Sequence, residues 1–195
     1  MLNLRDMQIA TPETDPMNQI ISLSYYPDTG RHMPGDVREI VEGAFALANR
    51  HKRTRGEVTP VALLLLTADE EKGIMPYMMP YRSPEEKAVY MLELRALIAE
   101  MRPDVVVFLH EAWMRMTDTR EEAQQLLKNG GPVGQMPGAF ECLMVSVETY
   151  DGTWTAVAKL TGRNGTPHFE PPVFGFVSEY EGQVMNFLPP RGAMK

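Results

Sequence analysis

The chain has 195 residues, of which 44% are hydrophobic, and this is enough to build one domain with a substantial core. Nineteen Lys and Arg against 26 Asp and Glu leave a formal net charge of −7, which disfavours nucleic acid as a partner because phosphate backbones attract basic surfaces. The single cysteine, Cys142, excludes an intramolecular disulfide and a zinc site built from several thiolates.

The N-terminal residues lack the basic start and apolar core of a signal peptide. No apolar run approaches the roughly 20 residues that are needed to cross a bilayer. We therefore expect a cytoplasmic protein that does not use a membrane as a partner.

Residues 1–34 contain four prolines and little sustained periodicity, apart from a short apolar patch around Ile21 and Leu23. This composition predicts an extended arm that lies on the domain or on a partner. The remaining residues, 35–195, are predicted to form a single domain.

The first helix is predicted from Asp36 to about Lys52, with Asp36 and Glu39 spaced as in a capping box. The basic run at residues 50–55 lies at its end, where cations complement the helix dipole. The nearly continuous apolar stretch at residues 58–67 then predicts a strand that is covered on both faces.

Residues 74–81, with the sequence Ile-Met-Pro-Tyr-Met-Met-Pro-Tyr, are predicted to form an edge strand or an irregular loop because they contain two prolines. The sequence Ser83-Pro84-Glu85-Glu86 is the clearest helix start in the chain, since it combines an N-cap serine, a proline in the first helical position and a glutamate at the capping-box position. The helix is predicted to end at Met101, before Pro103.

The apolar run at residues 104–114 predicts a central strand that ends in His110, Glu111 and Trp113. Side-chain alternation in a strand points His110 and Glu111 to opposite faces, so they cannot act as a direct acid-base couple. A short helix is expected between Thr119 and Gly130.

From Gly138 onward, turn signals separate four predicted strands, which cover residues 139–149, 153–161, 173–180 and 183–188. This order of elements predicts an α+β domain with a mixed, mainly antiparallel sheet, two long helices packed mainly on one face, and a C-terminal β-meander.

The strongest candidate for chemistry is a pair of carboxylates. If the strand that ends at Glu111 pairs antiparallel with the strand that starts near Glu141, the two side chains approach each other. Two such carboxylates can hold a hard cation or divide acid-base roles, so one hypothesis is a metal-assisted hydrolase. The alternative is that they are solvated strand-end carboxylates, or that they pair with Arg115.

The same pairing brings His110 near Cys142, where a histidine base can activate a thiol. A buried cysteine that serves only as a small hydrophobe is the simpler interpretation. The glycine-rich residues 130–138 lack the lysine and the following helix of a phosphate loop, and they are predicted to be a flexible loop or a lid over a small ligand.

No catalytic set is complete, no cofactor is expected, and the main hypothesis is a non-enzymatic binding or regulatory module. We expect it to form a homo-oligomer or to bind a protein partner, because its composition is rich in methionine and it contains proline-studded extended segments. The expected contact residues, besides the arm, are Tyr77, Met78, Met79, Tyr81 and Trp113.

Overall fold

Two long helices and nine strands make up the described part of the chain. The computed structural model describes residues 6–10, 21–27, 32–68, 71–117, 122, 125, 133–163, 165–180 and 187–188. The helices are α1 (Gly35–Arg55) and α2 (Pro84–Met101). The strands are β1 (Asp6–Ala10), β2 (Ile21–Pro27), β3 (Val61–Ala68), β4 (Glu71–Met78), β5 (Val105–Thr117), β6 (Phe140–Thr149), β7 (Gly152–Arg163), β8 (Thr166–Phe169) and β9 (Val173–Tyr180). The predicted α+β class is confirmed.

The strands form one antiparallel sheet that curls until it closes on itself. Neighbouring strands follow the order β1-β2-β9-β7-β6-β5-β3-β4, and β1 also pairs with β5. β5 has 13 residues, and this length allows one edge of β5 to pair with two strands. Its first residues pair with β3, and its last residues pair with β1. β4 extends the sheet beyond β3, and β8 pairs with β7. Every pairing among the described strands is antiparallel.

Each helix begins and ends where its sequence indicates, within a few residues. Ser83 is the N-cap of α2 and accepts a hydrogen bond from the amide of Glu86 at 3.2 Å, as the capping motif predicts. In α1 the N-cap is Pro34 and no side chain caps the helix, so the capping box expected at Asp36 and Glu39 does not form. Asp36 instead lies in the first turn, and its carboxylate accepts a hydrogen bond from the amide of Val37. Gly56 ends α1 in the left-handed conformation, with φ of 81°, which costs glycine little.

The helices lie on opposite faces of the sheet, whereas the sequence analysis placed both mainly on one face. Val41 and Phe45 of α1 pack in a cluster with Val107 of β5. Leu94 of α2 packs in a second cluster with Phe108 of the same strand. The physical reason is that β5 is apolar at consecutive positions, so alternation gives it two apolar faces and each one requires a cover.

Several predicted segments differ from the observed ones or lie outside the described residues. The N-terminal region contributes β1 and β2 to the sheet, paired with β5 and β9, so the boundary drawn at residue 34 does not separate an arm from the sheet. β8 was not predicted. Of the expected helix between Thr119 and Gly130, only Glu122 and Gln125 are described, and both are helical. All but the last two residues of the expected strand at 183–188 lie outside the described residues.

Candidate functional site

The candidate site lies where the second half of β5 pairs with the start of β6. The antiparallel register places Glu111 opposite Leu143, and Trp113 opposite Glu141. Glu111 and Glu141 therefore project from the same face, the one that α1 covers, and are diagonal neighbours on adjacent strands. His110 projects from the other face, as side-chain alternation requires.

Lys52 of α1 lies between the two carboxylates. Its ammonium nitrogen, Nζ, is 2.6 Å from Oε1 of Glu111 and 2.9 Å from Oε1 of Glu141. The side chain of Lys52 is only 9% exposed. These distances define a cluster of one buried ammonium and two partly exposed carboxylates, which we call the Lys52 cluster.

Sequence analysis missed this role of Lys52, although a signal for it exists. The buried residues of α1 are Val37, Val41, Phe45, Ala48 and Lys52. Lys52 thus continues the apolar stripe at helical spacing, instead of joining the solvated arginines around it. A lysine at such a position buries its ammonium only where carboxylates receive it.

The charges of the Lys52 cluster determine where its protons reside. Burial alone lowers the pKa of Lys52, but the hydrogen bonds and charges of Glu111 and Glu141 outweigh burial and raise it. Burial raises the pKa of Glu111, and the opposing contributions of Lys52 and of the amide of Val58 do not cancel that effect. One ammonium and two carboxylates carry a net negative charge, so the more buried carboxylate retains a proton more readily.

Glu111 also lines a small cavity. Its volume is about 260 Å³, and its other lining residues are Glu57, Val58, Thr59, Pro60, Pro80, Tyr81 and Arg82. A carboxyl group with a raised pKa at a cavity wall can exchange a proton with a bound molecule. None of the other lining residues is a cysteine, serine or histidine.

A metal ion at Glu111 and Glu141 would have to displace Lys52. The ammonium occupies the position between the carboxylates that a cation would take. Within the described ranges, no group of three or more His, Cys, Asp or Glu side chains is close enough to hold a metal ion.

His110 and Cys142 lie on the α2 face of the sheet, as diagonal neighbours on β5 and β6. Burial lowers the pKa of His110 to about 4 and raises the pKa of Cys142 to about 12, and in Cys142 the charges of Glu141 and Glu111 add to the effect. The thiol is therefore protonated at neutral pH. The arrangement favours the interpretation of Cys142 as a buried hydrophobe over that of an activated nucleophile.

The glycine-rich loop rests on Trp113 through a 3-10 helix, Val133–Gln135. A Cβ added to Gly134 would lie 2.9 Å from Cδ2 of Trp113, so only glycine fits this close approach. Arg115 donates a hydrogen bond to the carbonyl oxygen of Pro137 and forms an ion pair with Glu122. The described part of the loop is therefore attached to β5 and covers Trp113.

The other expected contact residues are covered to different degrees. Met79 is fully buried in the core, which removes it from any contact surface of this fold. Tyr81 packs against the same core cluster, and burial raises its pKa to about 12. Tyr77 donates a hydrogen bond to Glu93 at 2.7 Å. Met78, on the outermost strand β4, remains 48% exposed.

The outer face of α2 is an exposed apolar surface that was not predicted from the sequence. Met91, Leu94 and Ile98 are buried on the inner face. On the opposite side Leu92 is 70% and Val89 is 54% exposed. Ala96 and Ala99 continue the same row and are also exposed. We call the row of Val89, Leu92, Ala96 and Ala99 the outer stripe.

Comparison with protein-family models, curated proteins and solved structures finds no match. The Lys52 cluster and the outer stripe are therefore interpreted from their own geometry. Among the described residues, neither helix is both long and apolar enough to cross a membrane.

Proposed function

We propose that the protein is a non-enzymatic binding module that self-associates, and that the outer stripe of α2 is its contact surface. The observation that carries this proposal is the 70% exposure of Leu92 beside the 54% exposure of Val89. Both sheet faces are already covered by helices, so the outer stripe serves no packing role among the residues that the structure describes. Burying a leucine side chain contributes about 2 kcal/mol of favourable free energy, so the binding of a partner that covers Leu92 would be stabilised by this burial.

The chemistry of the Lys52 cluster supports a structural role better than a catalytic one. Lys52 is paired with both carboxylates, which leaves neither a free amine nor an open cation position. Cys142 is buried and holds its proton. We also propose a cytoplasmic location, because a single buried thiol is typical of a reducing compartment.

Sedimentation equilibrium over a wide concentration range tests the proposal. We expect the average mass of the protein to rise with concentration, and we expect Leu92→Glu to keep the chain monomeric because a buried carboxylate opposes association. Leu47→Glu is the matched control, since Leu47 on α1 is 55% exposed and lies away from the outer stripe. A protein that stays monomeric at every concentration would overturn the proposal.

A second candidate function is the binding of a small amine. A cavity of about 550 Å³ lies near the start of α1, within the size range of ligand sites. Its wall combines the apolar side chains of Val37, Ile40 and Leu65 with the carboxylates of Asp36, Asp104 and Asp151, and Lys72 is the one cation among its lining residues. The described part of the loop that was expected to form a lid, residues 133–138, lines neither this cavity nor the one at Glu111.

A thermal-shift measurement with 2-phenylethylamine tests the second candidate. We expect this aromatic amine to raise the melting temperature, and Ile40→Trp, which fills the cavity, to abolish the effect. An equal shift in both proteins would indicate binding elsewhere and would contradict this assignment.

A further inference from the structure

The outer stripe has the spacing of a two-helix seam. Val89, Leu92, Ala96 and Ala99 are separated by three, four and three residues, which is the alternation of the a and d positions in a heptad. In α2 these positions face away from the domain. We propose that two copies of the chain pair through α2 as parallel, in-register helices, an inference that rests on the proposed function.

The flanks of the outer stripe differ in charge. Glu86, Glu93 and Glu100 follow one another at intervals of seven residues, so they lie along one flank. Arg95 lies on the opposite flank, seven residues after Ala88. One side chain on each flank also contacts the domain. Glu93 accepts a hydrogen bond from the hydroxyl of Tyr77, and the guanidinium of Arg95 lies over the ring of Phe187.

This distribution of charge selects the direction of pairing. In a parallel pair, unlike flanks face each other, so Arg95 lies beside Glu100 of the partner subunit, and the two-fold axis repeats the contact. In an antiparallel pair, like flanks face each other. Glu93 would then lie beside the partner's Glu93, and Arg95 beside the partner's Arg95, which is repulsive.

The size of the seam determines the strength of the pairing. Val89 and Leu92 supply most of its apolar area, while Ala96 and Ala99 allow the helices to approach closely near their C-terminal ends. Four core positions per copy bury much less than the standard interface of about 1,600 Å². The dimer is therefore weak and depends on concentration.

Exchange of the two charges tests the direction. In Arg95→Glu a glutamate faces the partner's Glu100, and in Glu100→Arg an arginine faces the partner's Arg95, so each single variant is expected to dimerise about tenfold more weakly. An equal mixture of the two variants restores opposite charges at both contacts. We expect the mixture to associate as strongly as the unaltered protein. Single variants that dimerise as strongly as the unaltered protein would overturn the parallel arrangement, because in an antiparallel pair Arg95→Glu only replaces one contact between like charges by another.

Cysteine crosslinking gives an independent readout. In a parallel pair, Leu92→Cys chains place their thiols opposite each other, so this single variant is expected to form a disulfide-linked dimer under mild oxidation. In an antiparallel pair, Leu92→Cys would instead crosslink to Ala96→Cys in a mixture of the two. Unaltered Cys142 is buried and serves as the internal control for unspecific oxidation.

The two proposals fail in different ways. If the proposed function is wrong, Leu92→Glu and the unaltered chain have the same mass at all concentrations. If only the direction is wrong, the unaltered chain associates and Leu92→Glu does not, while the single charge variants dimerise as strongly as the unaltered chain and Leu92→Cys crosslinks to Ala96→Cys.

Discussion

Lys52 forms ion pairs with two carboxylates that belong to different strands, and it does so from a helix. The three groups come from α1, β5 and β6, so the cluster ties one sheet face to its covering helix. The approach of Glu111 to Glu141 follows from antiparallel alternation and can be foreseen from the sequence. The arrival of Lys52 cannot, because it depends on the height and direction at which α1 crosses the sheet.

Removal of the ammonium is expected to destabilise the fold. Lys52→Met leaves Glu111 and Glu141 as neighbouring carboxylates with no cation, and we expect the free energy of unfolding to fall by about 3 kcal/mol in urea denaturation at neutral pH. Adding Glu111→Gln and Glu141→Gln should recover most of the loss. The control is Lys72→Met, which removes an exposed ion pair with Asp36 and should change stability by less than about 0.5 kcal/mol.

His110 is expected to make stability depend on pH. Burial lowers its pKa from 6.5 to about 4. Below pH 6.5 the unfolded chain binds a proton that the folded chain does not, so stability falls as the pH drops from 6.5 to 4 and changes no further below that from this group. The loss amounts to about 3 kcal/mol.

The comparison that isolates this effect is His110→Phe, since the ring of His110 already lies 5.0 Å from that of Phe108. The difference in stability between the two proteins should shrink or reverse in favour of the variant over this pH range. A constant difference would show that His110 is accessible to protons in the folded state.

At the scale of the elements, local signals predicted the helices and the central strands well. The capping motif at Ser83 and the apolar run of β5 depend on neighbouring residues alone. β1 and β2 are determined by their pairing with β5 and β9, which lie far away in sequence. The same limit explains the placement of α2, because an apolar run does not reveal which face each helix covers.

The contact between the glycine-rich loop and β5 depends on glycine at position 134, which has no side chain. Gly134→Ala would force the new Cβ against the ring of Trp113, and we expect a loss of about 1–2 kcal/mol in stability together with a change in tryptophan fluorescence. Gly43→Ala is a matched control, since it lies in α1 with no atom within 4 Å of the added Cβ. The control should gain up to about 1 kcal/mol, because alanine favours helices.

At the scale of the whole molecule, the exposed large apolar side chains of the described residues lie mainly on α2 and β4, with one more on α1, Leu47, and one on β9, Val173. Both sheet faces receive a helix, and the residues that the sequence analysis expected to meet a partner are partly enclosed. The outer stripe escaped notice because α2 is apolar on both sides, so its core face alone accounts for the helical periodicity. Only burial distinguishes the two sides.

Self-association should also stabilise the fold by mass action. The melting temperature of the unaltered protein is expected to rise with concentration, because dimerisation draws on the folded state alone. Leu92→Glu should melt at a temperature that does not depend on concentration. A rise of equal size in both proteins would assign the association to a different surface.

The most direct test of the central claim is a dilution series of isotope-labelled protein followed by NMR. We expect the amide chemical shifts of the outer stripe, at Val89, Leu92, Ala96 and Ala99, to change with concentration. The amide chemical shift of the exposed Leu47 on α1 should remain constant. Spectra that are identical at all concentrations, or changes confined to residues outside α2, would contradict the central claim.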